Sequence, residues 1–131
     1  MANEYRGEVE VDLGGNTYTM RPTMNAIAHL EAKGGSIRKL LSKFIKDDGS
    51  GRTVENDEWA ITDVMRILQA GFLGQGRDAP APKDLGDLVM QTGAQALVVP
   101  CVEFLANCLN PPKREAAEAD RDESPTDGAE A

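Results

Sequence analysis

Residues 9–20 read VEVDLGGNTYTM, two alternating runs that meet at Gly14-Gly15. Strict alternation places successive side chains on opposite faces of a strand. A two-residue turn of the mirror-image types needs positive φ at both central positions, which glycine adopts without a Cβ penalty. Pairing about that turn sets Val9 opposite Met20 and Val11 opposite Tyr18 on one face. The other face then carries Glu8 with Arg21, Glu10 with Thr19, and Asp12 with Thr17. A slip of one residue would mix the two faces, so the register is tightly specified. Two strands alone are marginal in water, and this apolar face must be covered by something else.

Helical patterns follow at once. Thr23 is placed to cap a first helix after Pro22, with Met24, Ile27 and Leu30 inward and Gly34-Gly35 ending it. Ser36 is placed to cap a second, in which Ile37, Leu40, Leu41, Phe44 and Ile45 form an amphipathic stripe. The polar, glycine-containing stretch Lys46 to Asp57 reads as a loop. A third helix is expected from near Glu58 or Thr62 to Leu73, with Ile61, Val64, Met65, Leu68 and Phe72 inward and Gly74 stopping it. Asp84 is placed to cap a short fourth helix through Gln91, with Gly93 breaking the chain after it. The last helix, Ala94 to Leu109, carries Leu97, Cys101, Leu105 and Cys108 on one face, and Pro100 predicts a kink. The fold class is α+β: an antiparallel hairpin packed on a bundle of about four to five helices.

Residues 110–131 are different in kind. They contain no Val, Ile, Leu, Met, Phe, Trp, Tyr or Cys, and their seven acidic against three basic side chains make up half of the chain's net charge of −8. Such a segment buries too little apolar surface to offset the entropy of ordering it. The sequence therefore reads as a compact domain over 1–109 followed by a disordered acidic tail over 110–131. A pI near 4.6 disfavours general binding to nucleic acid. There is no leader pattern and no apolar run near ~18–20 residues, so the expectation is a cytoplasmic protein without a membrane partner.

Residues able to do chemistry are sparse. Cys101 and Cys108 lie seven apart on one expected helix, which separates their Cα atoms by about 10 Å at ~1.5 Å per residue, beyond disulfide reach. They read as buried thiols. His29 is the sole histidine, so a His-rich metal site is excluded. The run KDDGSG lacks the distal glutamate of a calcium loop. GFLGQG, residues 71–76, follows a helix and lacks the Gly-Lys-Ser/Thr of a phosphate loop. Arg38, Lys39, Lys43 and Lys46 read as the solvated face of the second helix, and Trp59 as a core or edge aromatic. No catalytic, cofactor or metal site is expected, and the chain reads as a non-enzyme.

One resemblance supplies a role. RGEVEVDLGGNTYTMRPTMNAIAHLE resembles the opening of the small protein encoded upstream of the tape measure gene in gene transfer agents and related phage tails. That family is regarded as a tail assembly chaperone and also carries a tail tube label. Arg6, Gly7, Glu8, Val9, Val11, Gly15, Tyr18, Ala26, Leu30 and Glu31 carry the match, and ITDVMRILQAGFLGQG is similar to a second family segment. Met20, where Leu is usual, the long polar loop and the acidic tail depart from the pattern. The resemblance implies binding and solubilising of the tape measure protein, with tail tube subunits as further partners and no cofactor. The alternative it leaves is a structural tail component, tube or tail-completion. Helix-in-groove contact through Phe104, Leu105 and Leu109 is the expected mode, although packing alone also accounts for these three.

Overall fold

The structure, a computed structural model, describes residues 7–76 and 79–110. The expected disordered tail lies outside the described residues, Asn110 excepted. Strands β1 (Val9–Leu13) and β2 (Asn16–Met20) form an antiparallel pair with Val9 facing Met20, Glu10 facing Thr19, Val11 facing Tyr18 and Asp12 facing Thr17. This is the register that the sequence dictates. Gly14 and Gly15 turn the chain at φ 57° and 87°. Val9, Val11, Leu13 and Met20 are buried, and Tyr18 tilts against Phe72 with ring centroids 5.7 Å apart. On the wet face Thr17 Oγ1 donates to Asp12 Oδ1 at 2.7 Å.

Helices cover the apolar face. In chain order they are α1 (Met24–Gly34), α2 (Ile37–Ser42), α3 (Ile61–Gln75), α4 (Pro82–Thr92) and, after a 3₁₀ turn at Ala94–Leu97, α5 (Val98–Leu109). The central helix is α3, which packs against β2, α1, α4 and α5. Side chains tie the hairpin to the far end of the chain. Gly14 N–H donates to Thr92 Oγ1 at 3.0 Å, and Asn107 Nδ2 donates to the Gly7 carbonyl at 3.0 Å.

The caps at Thr23 and Ser36 form as expected. Thr23 Oγ1 accepts from Ala26 N–H and Ser36 Oγ from Lys39 N–H, each at 3.1 Å. The Glu31 carboxylate adds a second acceptor at the start of α2, taking the Ile37 N–H at 3.0 Å. Met24, however, points outward and is 74% exposed. The row that faces the core runs through Ala26 and Leu30, because Met24 is the first helical residue and stands at the open end. Ile61 likewise opens α3 at 49% exposure, while Ile67 is buried in its place.

The second helix is shorter than its apolar stripe. Lys43 and Phe44 donate to the carbonyls of Leu40 and Leu41, tightening the last turn into i to i+3 bonds that end it. The chain then enters a second hairpin, β3 (Ile45–Asp47) and β4 (Thr53–Glu55), inside the segment expected to be a loop. Strands of three residues are too short to show alternation. Their turn is nonetheless specified locally: Asp47 Oδ1 accepts from Gly49 and Gly51 N–H at 2.9 and 3.1 Å.

Gly74 lies within α3 and does not stop it; the helix ends one residue after Gln75, at Gly76, with φ 81° in the left-handed region. Pro82 occupies the first position of α4 after Ala81, so Asp84 sits inside the first turn and is not the cap. Pro100 is the third residue of α5. Its missing N–H falls among those with no intrahelical acceptor, and α5 starts afresh at Val98 in place of a kink. The change of direction occurs at Gly93 (φ 97°), where α4 and the 94–109 segment meet at 101°.

The start of α3 carries half of a capping box. Asp63 Oδ2 accepts from Ala60 N–H at 2.8 Å, but Ala60 has no side-chain acceptor to return to the first turn. Ala60→Ser supplies it at an exposed site with extended backbone. The expected result is a gain of about 1 kcal/mol in unfolding free energy, read by urea denaturation.

Candidate functional surface

The chain's polar groups mostly serve the scaffold. Asp63, 4% exposed, is the buried carboxylate among the described residues and has three donors. Besides Ala60 N–H they are Lys43 Nζ at 3.4 Å and Arg66 Nη1 at 3.3 Å. Arg66 Nη2 also reaches the Leu30 carbonyl at 3.2 Å, so one charged cluster joins α1, α3 and the end of α2. Of the four cations expected on the second helix, Arg38 and Lys39 are exposed on α2, Lys43 just after it turns to Asp63, and Lys46 lies on β3. His29 is half-buried on α1. GFLGQG forms the end of α3 and its stop, and KDDGSG forms the turn of the second hairpin. Among the described residues no group of three or more His, Cys, Asp or Glu side chains is placed to hold a metal ion, and no single helix is long and apolar enough to cross a membrane.

Both cysteines are free. Burial pushes the Cys101 thiol from an ordinary 9.0 to about 12. Burial, with the negative charge of Glu31 second, raises Cys108 to about 12 as well. The folded chain therefore holds thiol protons that the unfolded chain releases above pH 9. Their contribution to stability is complete below about pH 9 and is lost as pH rises toward 12. The expected outcome is twofold. Neither thiol reacts with an aromatic disulfide reagent at pH 8 until denaturant is added, and the melting temperature falls progressively as pH is raised past 9.

The three residues expected to meet a partner all lie on α5. Phe104 and Leu105 are 0% exposed, and Leu109 is half-buried against the same core. Their apolar character is spent on packing: α5 lies against α2, α3 and β1. The large apolar side chains that do reach solvent are Met24, Ile61, Leu73, Met90 and Val99, spread over α1, α3, α4 and α5.

A depression of about 350 Å³ opens where the second hairpin meets the start of α5. Phe44 and Trp59 form one wall, their rings stacked 5.7 Å apart and within 5° of parallel. Glu55, Asn56 and Asp57 form the rim on the hairpin side, and Gln95 and Val98 close the other side. Trp59 is thus an edge aromatic packed on the core, as its sequence context suggests. What sequence reasoning missed is the rim. Its one legible trace is the acidic run VENDEW, in which Glu55 at the end of β4 and Asp57 two residues on both line the opening.

Comparison with curated proteins and with solved structures finds no significant match. A family model described as phage tail tube protein, GTA-gp10, matches residues 6–111. The matched segment spans both hairpins and all five helices, the described fold from end to end. The chain therefore belongs to this phage and gene transfer agent tail family.

Proposed function

We propose that the chain is a structural component of a phage-like tail, entering the particle as a tube or tail-completion subunit and catalysing no reaction. The observation that carries this reading is the family match over residues 6–111, whose description names a tail tube protein. The surface is compatible with it. A subunit made in the cytoplasm and buried later carries some apolar side chains at its surface, and Met24, Ile61, Leu73, Met90 and Val99 stand exposed on four helices. The resemblance to a tail assembly chaperone makes a different demand, a continuous apolar surface for the tape measure protein. Of the three residues expected to meet it, Phe104 and Leu105 are core residues in this conformation and Leu109 is half-buried.

The two roles part at the finished particle. Quantitative mass spectrometry of purified particles is expected to recover the chain at a fixed ratio to the other tail proteins. Its absence from particles whose tails require it for assembly would overturn the structural role. In that event the chaperone reading takes over, with solubility of the co-expressed tape measure protein as its measure.

A further inference from the structure

We infer that the depression between the second hairpin and α5 is a receptor for an arginine side chain on a basic segment of another tail polypeptide. Its lining has one chemical character. The carboxylates of Glu55 and Asp57 are exposed and make no hydrogen bond or ion pair among the described residues, and no Lys or Arg lines the opening. Asn56 spends its Nδ2 on the Ser42 carbonyl at 2.8 Å, which leaves its amide oxygen as an acceptor. Trp59 contributes an indole whose stacking partner, Phe44, is 1% exposed and holds the ring plane in place.

Two carboxylates, an amide oxygen and an indole held in a fixed plane together favour a planar cation. A guanidinium stacks on indole and offers forked donors to carboxylates, whereas an ammonium does only the second as a point charge. About 350 Å³ is at the small end of ligand sites, of a size for a side chain and not for a helix or strand. Charge also selects between sources. At net −8 two copies of this chain repel each other at long range, so the complementary partner is a different, basic polypeptide. The inference rests on the reading that the chain associates with other tail proteins.

Trp59 is the only tryptophan and reports on its own site. The probe is a capped pentapeptide with one central arginine between glycine and serine, titrated into the full chain at low ionic strength, beside its uncharged citrulline counterpart. The arginine peptide is expected to change Trp59 emission saturably, with a Kd on the order of 1 mM for a single side chain. The citrulline peptide should leave emission unchanged. In the Glu55→Gln, Asp57→Asn double variant the arginine peptide should bind at least tenfold more weakly, while circular dichroism and melting stay as in the parent because both residues are exposed. Gln95→Arg, which supplies a guanidinium from within, should abolish the response.

Besides an unresponsive Trp59, three results overturn the proposal. They are an equal response to citrulline, undiminished binding by the double variant, and self-association of the parent that the double variant loses, which would make a second copy the occupant. Recovery of the chain in particles with an unresponsive Trp59 sinks this site and leaves the structural role standing. A responsive site in a chain absent from particles does the reverse.

Discussion

Replacing Gly74 with alanine is expected to lower the unfolding free energy by about 3 kcal/mol or more, a drop in melting temperature on the order of 10–20 °C. Helix propensity argues the other way, since Gly→Ala inside a helix ordinarily gains about 1 kcal/mol. Geometry decides the sign. A Cβ at Gly74 would stand 2.0 Å from the Arg21 carbonyl oxygen and 3.2 Å from Thr23 Oγ1. The first is backbone, fixed at the junction of β2 and α1, and has no rotamer to retreat into. Three residues earlier, a Cβ at Gly71 would stand 2.5 Å from Met20 Cβ and Cγ, where Arg21 N–H already bonds the Gly71 carbonyl at 3.0 Å. The two glycines make the groove into which the end of β2 lies along α3. Gly76→Ala is the control, because its φ of 81° is unfavourable to alanine but nothing lies within 4 Å of the new methyl group. It should cost about 1 kcal/mol, a conformational penalty without a clash. Thermal denaturation of the two variants should place Gly74→Ala well below Gly76→Ala. A Gly74→Ala chain as stable as its parent would show that β2 and α3 do not approach this closely.

Phe104→Ala is expected to cost about 3–5 kcal/mol in chemical denaturation, the range for emptying a fully buried aromatic site. That is a large share of the roughly 5–15 kcal/mol that holds a domain of this size folded. Leu109→Ala, at a half-buried position, should cost clearly less. The pair separates packing from partner contact on α5. If Phe104 met a partner instead of the core, its truncation would leave the denaturation midpoint unchanged and weaken only assembly.

How much of this was legible beforehand depends on how far apart the cooperating residues are. The hairpin register, the caps at Thr23 and Ser36, the break at Gly93 and the separation of the two thiols all rest on neighbours within a few positions. Each is present in the chain as a repeat, a cap or a turn signal. Gly74 shows the opposite case. Read locally, a glycine after an apolar helical run is a stop, and only the approach of Arg21 from fifty-odd residues away reveals why a Cβ is forbidden there. Phe44 fits a helical stripe, yet its ring is held against Trp59 by a hairpin whose strands are too short to show a period. Phe104 and Leu105 carry the same apolar letters whether a face is covered by α3 or by a partner. Their burial depends on which helices arrive.

By itself, then, the sequence determined the hairpin with its register, the number and order of the main helices, and the scarcity of catalytic groups, because those follow from local stereochemistry and residue inventory. Tertiary structure alone decided the glycine groove on α3, the second hairpin, the charged cluster at Asp63 and the acidic opening beside Trp59. Each of these requires segments remote in the chain to meet, and a contact between distant residues leaves no periodicity for the sequence to display.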